Sequence, residues 1–115
     1  MKTILIVDDE PLLRDCLRDV LSAQRYIVLE ASNGAEALMV VRTQTVDLIL
    51  TDVDMPVKNG IEFLKEFRAI NQTTPVIVMS GGHVLSIEEL MRLGAAGFIS
   101  KPFINIESLL RTLAA

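Results

Sequence analysis

Thr3-Ile4-Leu5-Ile6-Val7-Asp8-Asp9-Glu10, residues 3–10, sets a run of branched apolar side chains directly before three carboxylates. A strand with one wet face alternates apolar and polar residues, whereas a strand covered on both faces reads as a continuous apolar run. Ile4–Val7 therefore reads as an inner strand of a parallel sheet. The same pattern recurs downstream. Asp47–Thr51, with Leu48–Leu50 at its centre, runs into Asp52 and Asp54, and Pro75–Met79 runs into Ser80. Tyr26–Glu30 and Gly97–Ser100 are shorter or more mixed, as flanking strands would be.

Helical patterns fill the gaps. Leu13, Cys16, Leu17, Val20 and Leu21 recur at the spacing of one apolar helix face, and Pro11 suits the first turn, where a missing N–H costs little. On that stripe Cys16 reads as a buried, inert thiol. Asn33 with Glu36 and Asn59 with Glu62 resemble capping pairs, opening helices over Ala37–Val41 and over Ile61, Leu64, Phe67 and Ile70. Ser86 with Glu89 opens a fourth, carrying Ile87, Leu90, Met91 and Leu93, with Gly94 as its stop. Ile106, Leu109, Leu110 and Leu113 mark a fifth. Met39, Met79 and Met91 read as core filling.

Five strands alternating with five helices predict an α/β fold, a doubly wound five-stranded parallel sheet with right-handed crossovers on both faces. The chain has 115 residues, half of them hydrophobic and 23% charged, which suits one domain spanning 1–115 with a real core. A net charge of −4 with no basic run argues against direct nucleic-acid binding. No apolar stretch approaches the ~20 residues that span a bilayer, and no secretory cleavage pattern follows the N-terminus. Cys16 is the single cysteine, so no internal disulfide can form, which fits a cytoplasmic setting.

In open α/β sheets ligands bind at the carboxyl ends of the strands. Asp8, Asp9 and Glu10 follow the first strand, Asp52 and Asp54 the third, Ser80 the fourth, and Lys101 with Pro102 the fifth. All the chemically capable residues fall on one edge. Clustered carboxylates stay ionised only with positive charge among them. Hard oxygen ligands suit Mg²⁺, which keeps several waters and is often completed by phosphate. Lys101 adds a mobile point cation and Ser80 a hydroxyl. Together these groups are what a phosphoryl group needs, including a carboxylate able to attack phosphorus.

Four segments in order resemble the response-regulator receiver family. Ile6-Val7-Asp8-Asp9-Glu10 is similar to its opening, and Leu50-Thr51-Asp52-Val53-Asp54-Met55-Pro56, continuing to Gly60, to the segment around its phosphoaccepting aspartate. Val78-Met79-Ser80-Gly81 resembles its hydroxyl position, and Gly94 through Lys101-Pro102-Phe103 its closing motif. The resemblance implies a flavodoxin-like strand order 2-1-3-4-5 and a set of roles. Asp52 would accept phosphoryl from a sensor histidine kinase or phosphotransfer protein. Asp9, Asp52 and the backbone carbonyl of Asp54 would bind Mg²⁺, with Asp8 acting through a water. Lys101 would pair with phosphoryl oxygens, Ser80 would swing toward them, Phe98 would turn inward, and the Lys101–Pro102 bond would be cis. The fourth-helix, fifth-strand and fifth-helix surface would then change for a downstream protein or output domain. Such a chain is a switch rather than an enzyme, catalysing only its own phosphorylation and dephosphorylation. An acyl phosphate adds about two negative charges, and moving a two-state balance from off to on takes roughly 5 kcal/mol of differential binding.

Simpler readings stand beside these. Asp8 and Asp9 also suit a helix N-terminus, Ser80 a loop hydroxyl, and Phe98 a core position. His83 reads as an exposed loop residue, with no second His for a transition metal. Asp54 either faces the phosphoryl group, altering its lifetime, or contributes backbone alone. A haloacid-dehalogenase-type phosphatase also uses Asp-x-Asp after a strand, but this chain is short for one and places another acid pair first. A flavin module would need a hydroxyl- and glycine-rich loop where Asp8-Asp9-Glu10 stands, and acid there repels phosphate. An unphosphorylated scaffold would be expected to lack one of Asp9, Asp52 or Lys101. The sequence favours a stand-alone regulator over an excised receiver and leaves open a homodimer through the fourth-helix to fifth-helix face.

Overall fold

A computed structural model of the chain describes residues 1–81, 86–101 and 111. Its strands are β1 (Thr3–Val7), β2 (Ile27–Ala31), β3 (Leu48–Asp52), β4 (Val76–Ser80) and β5 (Gly97–Ser100), and its helices α1 (Pro11–Ala23), α2 (Gly34–Thr43), α3 (Gly60–Ile70) and α4 (Ile87–Arg92). The sheet order is β2-β1-β3-β4-β5, as expected, and every pairing is parallel. The expected last helix lies outside the described residues, as do His83, Pro102 and its expected cis bond. None of the described helices is long and apolar enough to cross a membrane.

The unbroken apolar runs are explained by two cores. Leu5, Val7, Ile49, Val76 and Val78 face a layer holding Ala37 and Leu38 of α2 and Phe63, Leu64 and Phe67 of α3. Ile4, Ile6, Leu48, Leu50, Ile77 and Met79 face the other way, against Leu17 and Leu21 of α1. Successive strand residues thus point into opposite cores.

Three strands start one residue later than the sequence suggests, and in β2 the cause is local. Helix α1 ends with Arg25 N–H donating to Ser22 O and Tyr26 N–H to Leu21 O, both at 3.0–3.1 Å. Arg25 takes the left-handed φ of 68° that glycine usually fills in this closure. Tyr26 is thereby committed to closing the helix. In β3 and β4 the shift makes Asp52 and Ser80 the last residues of their strands, not the first beyond them.

Four burial expectations are corrected. Cys16 is exposed, as are Met39 and Met91. Each adjoins a buried residue, Leu17, Leu38 or Leu90, and one step along a helix turns the side chain by about 100°, which takes it off the inward face. Met79 is fully buried, as expected. Phe63, absent from the predicted stripe, is also fully buried, whereas Ile70, assigned to that stripe, is exposed.

Candidate functional site at the carboxyl edge of the sheet

Adjacent strands in register deliver the site. Val7 pairs with Thr51, Asp52 with Met79, and Ser80 with Ser100, so β1, β3, β4 and β5 end at one edge. Asp8, just past β1, is fully buried. Its N–H donates to Ala31 O at 3.1 Å, and its Oδ1 accepts from Glu10 N–H at 2.9 Å. Asp52 is 4% exposed, with Oδ1 accepting from its neighbour Val53 N–H at 2.8 Å.

Lys101 ties the strand ends together. Its Nζ donates to Asp8 Oδ2 at 2.9 Å and lies 3.2 Å from Asp52 Oδ2 and 3.6 Å from Glu10 Oε1. Its backbone N–H donates to Ser80 O at 3.0 Å, anchoring the end of β5 on the end of β4. Ser80 is buried. Phe98 is half-buried and packs against the core on the α2–α3 side of the sheet. Asp54 is exposed.

Gly60 allows helix α3 to start against this edge. Its N–H donates to Val53 O at 2.9 Å, and a Cβ there would lie 1.9 Å from the backbone oxygen of Asp52. A full capping box fixes the same turn: Asn59 Oδ1 accepts from Glu62 N–H at 2.9 Å, and Glu62 Oε1 accepts from Asn59 N–H at 3.1 Å. Beside it, Val57 adopts φ 69° while exposed, a conformation that a β-branched residue rarely takes.

The electrostatics follow from burial. Removal from water pushes the Asp52 carboxyl above the ordinary aspartate range, with the Asp8 charge adding to the rise and Lys101 and the Val53 N–H opposing it. Burial alone would pull the Lys101 ammonium down, but hydrogen bonds and charges from Asp8 and Asp52 outweigh it and hold Lys101 above its usual value.

Carboxylate oxygens of Asp8, Asp9 and Glu10 lie within 4.8 Å of one another. Oxygens bound to one Mg²⁺ at about 2.1 Å lie up to roughly 4.2 Å apart, so small side-chain rotations bring this hard-oxygen group into range. With Asp52 nearby, and Lys101 the single described cation that meets these carboxylates themselves, the edge keeps an excess of negative charge. The residues present fit a divalent cation.

Of the residues singled out in sequence, Asp8, Asp52 and Lys101 are in direct contact, and Asp9 and Ser80 stand at the same edge. Asp54 projects outward and Phe98 lies behind the edge. Glu10, placed at the same strand end in sequence but given no role, completes the carboxylate group. One neighbour was not singled out. Arg14, on α1, donates from Nη1 to the backbone oxygen of Asp8 at 2.5 Å. No sequence motif marks it.

Comparison with known proteins agrees across the chain. A family model, the response regulator receiver domain, matches residues 4–114. Over 101 residues the chain is 39% identical to sporulation initiation phosphotransferase F of Bacillus subtilis, covering 87% of this chain and 82% of that protein. It is also 39% identical over 114 residues to the transcriptional regulatory protein CpxR of Klebsiella pneumoniae, covering 99% of this chain and 49% of CpxR, so it spans about half of that relative's length. Among solved structures, chemotaxis protein CheY4 of Vibrio cholerae superposes with a TM-score of 0.89 at 35% identity, over 99% of this chain and 97% of that one. Response regulator TrrA of Thermotoga maritima, solved in complex with Mg²⁺ and BeF, gives 0.85 at 31% identity, covering 96% of each chain.

Proposed function

Since the chain belongs to the response-regulator receiver family of two-component systems, we propose that it takes a phosphoryl group on Asp52, in a Mg²⁺-dependent reaction, from a histidine kinase or phosphotransfer protein. The observation that carries this is the junction at Lys101, whose ammonium touches both buried Asp8 and buried Asp52. Asp9, Asp52 and the backbone carbonyl of Asp54 would hold the ion, with Asp8 acting through a water. The bound ion would supply positive charge that offsets the carboxylates and draws phosphoryl oxygens toward Asp52.

The chain's own residues do the rest. An Asp52 carboxylate oxygen attacks phosphorus as the P–N bond of the donor phosphohistidine breaks, and the bonding pair and a proton end on the departing imidazole. The raised Asp52 pKa means that the folded site resists a bare charge there, so added positive charge favours the reactive ionised form. Lys101, already 3.2 Å from Asp52 Oδ2, reaches a phosphoryl oxygen with little movement. The Ser80 hydroxyl turns toward a second oxygen, and Phe98 moves into the space behind it, so a charge change becomes a packing change. The surface formed by α4, β5 and the chain after β5 then differs for a downstream protein or output domain, or for a second copy. Exposed Asp54 tunes phosphoryl lifetime by standing where water approaches. We place residues 1–115 in one receiver domain working in the cytoplasm as a switch that acts on no other substrate.

The test is intact mass after incubation with acetyl phosphate, with and without Mg²⁺, for wild type and Asp52→Asn. One phosphoryl adduct that needs Mg²⁺ and vanishes in the variant supports the reading. No adduct on folded wild-type protein overturns it.

A further inference from the structure

We propose that Arg14 is a positioning residue for the divalent cation, acting through the Asp8–Asp9 peptide. The inference rests on the metal reading of the acidic edge and extends it to a residue on helix α1. Arg14 is half-buried, and its guanidinium is used at two points. Nη1 donates to the backbone oxygen of Asp8 at 2.5 Å, and Nε lies 3.4 Å from Glu30 Oε1 on β2. Glu30 is held from the other side by Arg18 Nη1, 3.3 Å from its Oε2. The fork thus joins the carbonyl at the end of β1 to a carboxylate fixed on the neighbouring strand.

That carbonyl shares a rigid plane with the N–H of Asp9. Asp9 is exposed, and among the described residues its side chain makes no hydrogen bond or ion pair. Its N–H lies in the peptide whose carbonyl Arg14 grips, so a shift of that peptide carries Asp9 with it. Asp8 needs no such help, because Glu10 N–H and Lys101 Nζ already hold both of its oxygens.

Two effects of removing Arg14 have opposite signs, which makes the proposal decidable. If Arg14 mattered only as a nearby positive charge, losing it would tighten cation binding, since less repulsion would remain. If it positions Asp9, losing it weakens binding, as loss of a partner that orients a metal ligand does, by roughly tenfold or more. Lysine separates the two, because it keeps the charge but cannot span two acceptors with a planar fork.

The experiment is calorimetric titration of MgCl₂ into the full chain for wild type, Arg14→Lys and Arg14→Gln, with thermal melts in EDTA to show that each is folded. The expected result is a roughly tenfold larger Kd in both variants. Wild-type binding with variants that bind as tightly or more tightly overturns the positioning role and leaves the metal site standing. Absence of Mg²⁺ binding by wild type overturns the metal reading itself. Should Arg14→Gln fail to fold, Arg14→Lys carries the same decision, and Glu30→Gln, which loosens the fork from its far side, is expected to weaken binding by less.

Discussion

Replacing Gly60 by alanine should be far more damaging than any helix-propensity argument allows. Alanine near the start of a helix would ordinarily gain about 1 kcal/mol over glycine. Here its Cβ would sit 1.9 Å from the Asp52 backbone oxygen and 3.1 Å from the Val53 Cα, where a carbon and a carbonyl oxygen need roughly 3.3 Å. Both clashing partners are backbone at the end of a central strand, so no side chain can swing away. Helix α3 must retreat, loosening the buried Phe63, Leu64 and Phe67 and breaking the hydrogen bond from Gly60 N–H to Val53 O. Overpacking of this kind costs up to about 3 kcal/mol and the lost bond about 1 kcal/mol, so after the propensity gain the net loss is about 3 kcal/mol. At about 4 °C per kcal/mol for a domain of this size, the melting temperature should fall by about 12 °C. Urea and thermal denaturation in EDTA measure it, with Gly81→Ala as control, since among the described residues a Cβ there meets only Lys101 Cβ at 3.5 Å. A Gly60→Ala protein that melts with wild type would refute the claim that α3 is docked this closely on the Asp52 carbonyl.

Two further outcomes follow from the electrostatics and the packing. In EDTA, the raised Asp52 pKa favours folding fully below the ordinary aspartate value, and that contribution is lost as pH rises through the folded-state value. Wild-type stability should therefore decline over that window while Asp52→Asn declines less, and parallel urea curves for the two proteins would count against a strained Asp52. Arg68→Ala should cost about 2 kcal/mol in urea denaturation, because the guanidinium donates to Gly94 O at 2.9 Å and Asn71 O at 3.1 Å while lying over the Phe67 ring; a loss below about 0.5 kcal/mol would show that these contacts stabilise nothing.

The sheet was legible because each inner strand must satisfy two cores at once. Only an unbroken apolar run does that, as Ile4–Val7 and Val76–Met79 show by burying every residue. Helix starts were legible because Asn59 and Ser86 cap by local chemistry that needs no tertiary contact. The end of α1 was not, since Arg25 occupies a position that glycine usually signals. Cys16, Met39 and Met91 were misread because periodicity gives the direction of an apolar stripe but not its width, and that width depends on what the helix packs against.

The site divides along the same line. Residues that must occupy strand ends, Asp8, Asp52, Ser80 and Lys101, could be found from sequence, because strand ends are where an alternating α/β chain converges. A residue that acts on the backbone of those ends has no such address. Arg14 lies six positions beyond Asp8 and on a different element, and nothing in its neighbours distinguishes it from Arg18, which shares Glu30 with it but otherwise turns to Asp15 and Asp19. The two arginines differ in which of them faces the Asp8 carbonyl just past β1, a fact of how α1 lies along the sheet. Buried Leu17 and Leu21 fix that rotation. The apolar face of α1 thereby selects which arginine reaches the acidic edge, so a change at Leu17 or Leu21 that rotated the helix would move the guanidinium without touching any polar residue of the site.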